Sequence, residues 1–372
     1  MHRTDICILL CWRKTHSNAV KTWRLLRFPW KQLELVCLVE SFVVTVGLCV
    51  KNGAALVKNA VDSLCSQTFP AENIELLVVD GNSQDDTLQV IKNNLKRNFR
   101  DTQFIKENSG LGIARQTVVQ KAQGKYIVWL DADMTLPNDY LANQVAFMEQ
   151  HPEVGIAGAK FNVHVGYGLA ADLENIVYAV DSIYGQPGKV SKFGYLPGAE
   201  GAIYRVIAVR GVGGFDTRIN GAAEDTDIAY RVKADGWALA FTKESFTEAT
   251  RATWQTLWSQ YGWYGQGGHF IFHKDPNSLN LLQMSPMAGF IAGVLRLPGA
   301  YLLTHKMSFF LLPFHYTYKR LAWLVGFLRA HLRGYGHGLG EKVNVLDDAE
   351  DEFTYHGGGL RSKRRKHVAQ RC

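Results

Sequence analysis

Three groups of acidic residues stand where carboxylates can do chemistry. Asp131-Ala132-Asp133 closes the apolar run Tyr126 to Leu130. Two carboxylates one residue apart at a strand end can both turn toward one hard cation and the phosphates it carries. A solvated turn can carry the same three residues, so the apolar run before them is what gives the pair weight. Asp80-Gly81-Asn82-Ser83-Gln84-Asp85-Asp86-Thr87 follows a second apolar run and opens a helix. A tight turn with Ser83 or Asp85 as helix cap explains Gly81 and Ser83, but it does not require Asp80, whose carboxylate can accept hydrogen bonds from a base or ribose. Glu224-Asp225-Thr226-Asp227 opens a further helix. Negative charge there is favourable by about 0.3–1 kcal/mol through the helix dipole, so the cluster reads either as dipole compensation or as a second acidic site.

The elements that must position these groups are short β-branched runs alternating with amphipathic stretches. Phe42 to Val50, Ile74 to Val79, Thr102 to Ile105 and Tyr126 to Leu130 have strand character. Ala54 to Gln67, Asp85 to Lys96 and Gly112 to Gln123 space apolar residues three and four apart, as covering helices do. Such alternation predicts an α/β fold with a mainly parallel sheet flanked by helices. Open sheets of this kind bind ligands at the carboxyl ends of their strands. Lys51-Asn52-Gly53, Asp80-Gly81-Asn82-Ser83 and Asp131-Ala132-Asp133 all fall at such ends.

Taken in order, Val46 to Asn52, Gln67-Thr68, Val78 to Ser83 with Thr87, Gly110 to Arg115 and Asp131-Ala132-Asp133 resemble glycosyltransferase family 2. Gly213-Gly214-Phe215-Asp216 and Glu224-Asp225-Thr226-Asp227 resemble its second conserved region, so the likeness covers about residues 42 to 245. It implies a GT-A type nucleotide-binding fold, a UDP- or GDP-linked sugar donor, a divalent manganese or magnesium ion, and inversion at the anomeric carbon. By position it implies that Asp80, Lys51, Asn52, Arg115 and Asp131 contact the donor. Asp133, with Asp131, would hold the metal, and Asp225, with Glu224 beside it, would be the catalytic general base. Arg115 reads equally as a surface helix arginine. The chemistry is self-consistent, because a metal offsets charge on a leaving diphosphate while a separate carboxylate takes the acceptor's proton.

Two departures from the family pattern matter. Processive members carry Gln-x-x-Arg-Trp, whereas Gln260-Tyr261-Gly262-Trp263-Tyr264 lacks the arginine, which favours transfer of a single sugar. Gly81 replaces a second aspartate found in many relatives. Gln260, Trp263 and His269 are candidates for the acceptor side or a lid. Gly265-Gln266-Gly267-Gly268-His269 reads as a mobile glycine loop closing over donor phosphates, although a structural loop with a packing histidine fits as well.

The bulk composition narrows the setting. At 372 residues and 47% hydrophobic the chain can bury a sizeable core. Its net charge of +7 suits anionic lipid, phosphorylated substrates or nucleic acid. The basic tail alone suggests nucleic acid, so none is expected as a partner. The six cysteines form no CxxC pair and no His-spaced metal pattern, so neither a zinc site nor a disulfide framework is indicated. With no cleavable leader evident, secretion is not expected.

The expected organisation is a basic extension over 1–40, a catalytic domain over 41–248, an acceptor-side and membrane-associating helical region over 249–345, and a polar, disordered tail over 346–372. Met287 to Leu303 and Met307 to Trp323 are apolar but broken by Arg296, Lys306 and Lys319-Arg320, and fall short of the about 20 apolar residues of a spanning helix. They predict interfacial helices at the cytoplasmic face of a membrane, with a spanning hairpin through 287–328 and a buried core layer as alternatives. The reading is a membrane-surface transferase acting on a lipid-linked or cell-envelope saccharide. The same fold could also serve as a non-catalytic nucleotide- or lipid-binding scaffold. A sugar-nucleotide pyrophosphorylase would need a Gly-rich, basic signature near the first strand that Lys51-Asn52-Gly53 is too short to supply.

Overall fold

A computed structural model describes residues 44–165, 167–184, 190–191, 196–219, 221–249, 253–276 and 279–337. The expected extension over 1–40 and tail over 346–372 lie outside the described residues. The first half alternates as its sequence requires: β1 (Val44–Val50), α1 (Val57–Cys65), β2 (Ile74–Asp80), α2 (Thr87–Asn94), β3 (Asp101–Lys106), α3 (Leu111–Lys121) and β4 (Tyr126–Trp129). These strands pair in parallel in the order β3-β2-β1-β4. Val50 lies beside Asp80 and Asp80 beside Lys106, so the strands' carboxyl ends form one row.

β2 is buried at every position, which is why it reads as a continuous apolar run rather than an alternating one. Its successive residues feed two cores. Leu76 and Val78 pack with Val46, Leu48, Val57 and Leu64 on one face, while Leu77 and Val79 pack with Val118, Trp129, Tyr204 and Ile228 on the other. Full burial of one such side chain contributes about 1.5–3 kcal/mol. One carboxylate oxygen of the buried Glu75 accepts from the Thr45 hydroxyl and from the Gln123 amide, 2.8 Å away, while Oε1 has no hydrogen-bond partner.

Beyond β4 the sheet becomes mixed. β5 (Met134–Thr135), α4 (Tyr140–Gln150), β6 (Val154–Val165), α5 (Leu169–Tyr184), β7 (Val190–Ser191), β8 (Ile203–Arg205), α6 (Val206–Gly211), α7 (Glu224–Ala234) and β9 (Ala238–Ala249) follow. β8 inserts antiparallel between β4 and β6, β6 runs parallel to β9, and β5 and β7 pair antiparallel with β9. The expected parallel sheet therefore describes β3 to β4. The overall architecture is the mixed α/β, GT-A type, with an apolar helical segment after it.

That segment comprises α8 (Trp254–Lys274), α9 (Pro286–Thr304) and α10 (Leu312–Leu332). Thr253 and Thr256 form a capping box at the start of α8, and Ser285 accepts from the Ala288 amide at the start of α9, with Pro286 in its first turn. Leu173, Ile176, Val177 and Val180 of α5 pack against Phe309, Leu312 and Tyr316. Buried Glu174 accepts from Lys319 at 2.7 Å and pairs with His315, so the helical layer is locked to the sheet domain by charge as well as by apolar contact.

The glycine stretch Gly265 to Gly268 is not a loop. It forms the middle of the 21-residue α8, and its glycines answer to packing. A Cβ on Gly265 would lie 1.9 Å from the Trp323 carbonyl oxygen, and one on Gly326 would lie 1.9 Å from that of Gly262. The backbones of α8 and α10 thus approach more closely than any side chain allows, and the tertiary contact overrides glycine's poor helix propensity. Gly265→Ala is expected to destabilise the chain by about 1–3 kcal/mol through overpacking, although alanine favours an isolated helix. A urea midpoint equal to or above that of the wild type would refute this packing account.

Candidate active site

One cavity of about 780 Å³ opens at the carboxyl end of the parallel strands, between the sheet and α8. Lys51, Asn52, Arg115, Asp131, Asp133, Glu224, Asp225, Gln260 and Trp263 all line it. The structure therefore gathers nine of the eleven residues singled out from sequence. Asp80 and His269 are the two that do not line it.

The loops after β1 and β2 are tied to each other. Asn52, with φ 51°, donates its amide to the Ser83 hydroxyl at 2.9 Å and accepts the Gln84 amide at 2.8 Å. The Gly53 amide donates to Thr87 Oγ1 at 2.8 Å and that of Ala54 to Asp85 at 3.1 Å. Asp85, not Ser83, accepts from the Thr87 amide at the start of α2, at 3.2 Å. Asp80 is buried at the end of β2, where its carboxylate accepts the Ser83 amide at 3.2 Å. Its neighbours Val79 and Gly81 line a smaller cavity of about 170 Å³ that shares Cys49, Val50, Lys51 and Leu111 with the first.

Arg115 is not a surface residue. It is 4% exposed on α3, forms an ion pair with Glu224 and stands 3.6 Å from Asp131. Burial would lower its pKa, but Glu224, Asp131 and Asp225 outweigh burial and raise it, so the guanidinium is permanently charged. This pair joins α3, the first turn of α7 and the Asp131 loop. Ala223, which precedes α7, sits at φ 78°, a conformation uncommon for a residue with a Cβ and held here by its surroundings.

The acidic run that opens α7 divides its labour. Glu224 faces Arg115. Asp225 faces the cavity, accepting the Thr226 amide at 2.6 Å and the Ala199 amide at 3.3 Å. Asp227 is structural, paired with Arg231 at 2.6 Å and Lys274 at 2.5 Å. Dipole compensation explains the last role but not the burial of Glu224.

Two further carboxylates, Glu200 and Glu248, line the cavity and escaped the sequence reading. Burial and then Asp225 and Asp131 push the Glu200 carboxyl up to about 7. Its one sequence signal is an acid set between Gly198 and Gly201 just before β8. Among the described residues that line the cavity, Asp131, Asp133, Glu200, Glu224, Asp225 and Glu248 stand with two cations, Lys51 and Arg115. Such an excess of hard oxygen donors fits magnesium or manganese rather than a soft metal.

On the far wall, Gln260 donates to the Tyr264 hydroxyl at 2.7 Å, and Trp263, Tyr264 and Trp323 supply aromatic surface. His269 lies on α8 with its ring buried, 2.6 Å from the Tyr335 carbonyl. It belongs to helix packing, not to a lid, because the segment that would have closed is a helix.

Residues 45–189 match the family model described as Glycosyl transferase family 2, and residues 126–332 match that described as Glycosyl transferase family group 2. An uncharacterized glycosyltransferase of Haemophilus influenzae is 32% identical over 29% of this chain and 43% of its own length. Poly(ribitol-phosphate) beta-N-acetylglucosaminyltransferase TarS of Staphylococcus aureus is 30% identical over 27% of this chain and 18% of its own. The putative teichuronic acid biosynthesis glycosyltransferase TuaG of Bacillus subtilis is 28% identical over 36% and 51%. The chain thus spans between about a fifth and about half of the length of these curated relatives. Among solved structures, S. aureus TarS 1-349 in complex with UDP shares 15% identity over 86% of this chain and 96% of its own, with a TM-score of 0.46. Mannosyltransferase PcManGT from Pyrobaculum calidifontis, in complex with GDP-Man and Mn2+, shares 18% over 82% and 79%, with a TM-score of 0.48.

Two outcomes follow from the electrostatics. Arg115→Met leaves Glu224 buried without its partner, and breaking such a pair costs about 3–5 kcal/mol. Adding Glu224→Gln should recover much of that loss, and a double-mutant cycle by chemical denaturation checks the coupling. Glu200, raised from 4.5 to about 7, keeps its proton in the folded chain where the unfolded chain has released it. Stability therefore falls as pH rises through that window. In metal-free buffer Glu200→Gln should match the wild type near about pH 5 and exceed its melting temperature near about pH 8; parallel curves would remove the argument.

Proposed function

Because the chain belongs to glycosyltransferase family 2, and is a glycosyltransferase, we propose that it moves a single sugar from a UDP- or GDP-linked donor to a cell-envelope or lipid-linked saccharide, with inversion. The observation that carries this reading is the placement in one cavity of Asp131 and Asp133 at the strand ends and Asp225 at the start of α7. The relatives named for teichuronic acid synthesis and poly(ribitol-phosphate) glycosylation support an envelope saccharide as the acceptor.

Asp133 and Asp131 would hold magnesium or manganese, which when bound neutralises charge on the leaving diphosphate. Lys51 adds positive charge on the donor side, while Asp80 and Asn52 brace the loops that receive the nucleoside. Asp225 takes the proton of the acceptor hydroxyl as its oxygen bonds to the anomeric carbon and the bond to the diphosphate breaks. The Ala199 and Thr226 amides fix the orientation of that carboxylate. Arg115 acts through Glu224 by holding the first turn of α7 in place. Gln260, Trp263 and Tyr264 form the acceptor wall.

A membrane-surface location completes the proposal. Among the described residues one helix, Pro286–Thr304, is long and apolar enough to cross a membrane, and only 17% of its apolar window is buried. Met287, Leu295, Leu302, Met307 and Phe314 are exposed on α9, α10 and the turn between them. Arg296 and Lys306 interrupt this apolar surface with positive charge. That combination suits a helix lying at an anionic cytoplasmic leaflet.

A screen of UDP- and GDP-sugars with manganese, magnesium or chelator tests the reaction. Metal-dependent release of one nucleotide is expected, lost in Asp133→Ala and reduced by at least about 100-fold in Asp225→Asn, since general base catalysis contributes about 10²–10⁴-fold. Nucleotide binding without turnover for any donor and acceptor would favour the scaffold. Flotation with anionic but not neutral vesicles is the expected result for the membrane surface, and exclusive recovery in the soluble fraction at low salt would end that part.

A further inference from the structure

Four histidines converge away from the cavity. His269 and His273 stand one turn apart on α8, His331 lies in the last turn of α10, and His337 follows it. One ring nitrogen of each lies within 4.8 Å of the others. His269 Nε2 is 3.1 Å from His273 Nε2 and 3.2 Å from His331 Nδ1, and His337 Nε2 is 3.2 Å from the same His331 nitrogen. We propose that His269, His273, His331 and His337 form a transition-metal site of the zinc class that clamps the carboxyl end of α8 to that of α10.

Hydrogen bonding sets the tautomer of the central ring. The Tyr335 carbonyl can only accept, so His269 Nδ1 carries the proton it donates over 2.6 Å. Its Nε2 is therefore a bare lone pair aimed at the other rings. A backbone carbonyl holding the distal nitrogen of a ligating imidazole is the usual outer support of a metal site. Protons alone serve the cluster poorly: with His269 Nε2 bare, His331 Nδ1 has at most one proton to divide between His269 and His337.

Dimensions and chemistry agree. Zinc–nitrogen bonds of about 2.0–2.1 Å in a tetrahedron separate ligand nitrogens by about 3.3 Å; three of the six pairs already stand at 3.1 or 3.2 Å, and the others, all within 4.8 Å, have to draw in by ring rotation as the ion binds. A ligating imidazole must be neutral, and the Tyr335 contact places the ring proton on Nδ1, away from the other rings. Imidazole suits zinc, copper or nickel, whereas the carboxylates of the cavity suit magnesium or manganese, so the two sites select different ions. No cysteine takes part, and the ligands come from two helices and the turn beyond the second, so cysteine spacing could not indicate the site.

The clamp bears on the acceptor wall, because Gln260, Trp263 and Tyr264 ride on the same helix α8. The ion would fix the end of that helix where the close glycine contacts with α10 stop.

The experiment is calorimetric titration of the chelator-stripped full chain with Zn2+ in saturating Mg2+, which occupies the carboxylates. One zinc per chain is expected. His331→Gln and His337→Gln, at exposed positions, should each weaken binding by at least about 10–100-fold, the loss seen even for residues that only support metal ligands. Zinc K-edge absorption on the wild type gives an independent readout should either variant fold poorly, with a nitrogen shell near about 2.0–2.1 Å expected. No stoichiometric binding, wild-type affinity in both variants, or an oxygen-only shell would overturn the site. None of these readouts depends on sugar transfer.

Discussion

The Arg115 guanidinium is buried between Glu224 at the start of α7 and Asp131 at the end of β4, and the geometry of the cavity hangs on it. A charge in that position is tolerable only with partners close by, and its partners belong to the two segments that must face each other across the cavity. The pair is thus less a source of net stability than a device that makes other arrangements of α7 costly. Asp225 follows Glu224 directly, so the location of one carboxylate dictates that of the next. The left-handed conformation of Ala223 shows that the chain before α7 bends to meet this demand.

Around that pair, the described residues that line the cavity carry six carboxylates and two cations. Glu200 answers by holding its proton to about 7, and a divalent ion with a diphosphate would answer by adding charge of both signs. The same excess that makes the ligand-free cavity electrostatically unfavourable makes it receptive to cationic and phosphorylated ligands together.

The helical layer solves a different problem. α8 supplies the aromatic side of the cavity, and it is held by backbone approach at Gly262, Gly265 and Gly326, by Lys274 reaching Asp216 and Asp227 at 2.7 and 2.5 Å, and by the histidine cluster at its end. α9 makes fewer such contacts and leaves its apolar residues exposed. Close contacts and ion pairs are concentrated on the helix that lines the cavity, while exposed apolar surface is concentrated on α9.

The parallel half of the fold and the strand-end residues of the cavity were legible in the local patterns of the chain. Continuous β-branched runs, periodic helices and acidic residues at strand ends are local patterns, and sheet topology then carries strand ends to one edge. That logic put Lys51, Asn52, Asp131 and Asp133 at one edge of the sheet, where they line the cavity, and the family resemblance added Arg115, Glu224 and Asp225, which line it too. Whatever depends on contacts between distant segments could not be read from those local patterns. A run of glycines spells a loop until another helix packs against it, so Gly265 to Gly268 became helix and His269 left the lid. Glu200 has no pattern of its own and matters because β8 inserts beside β4 and brings its preceding loop over Asp225. The four histidines span 68 positions from His269 to His337 and converge only because α8 and α10 meet at their ends.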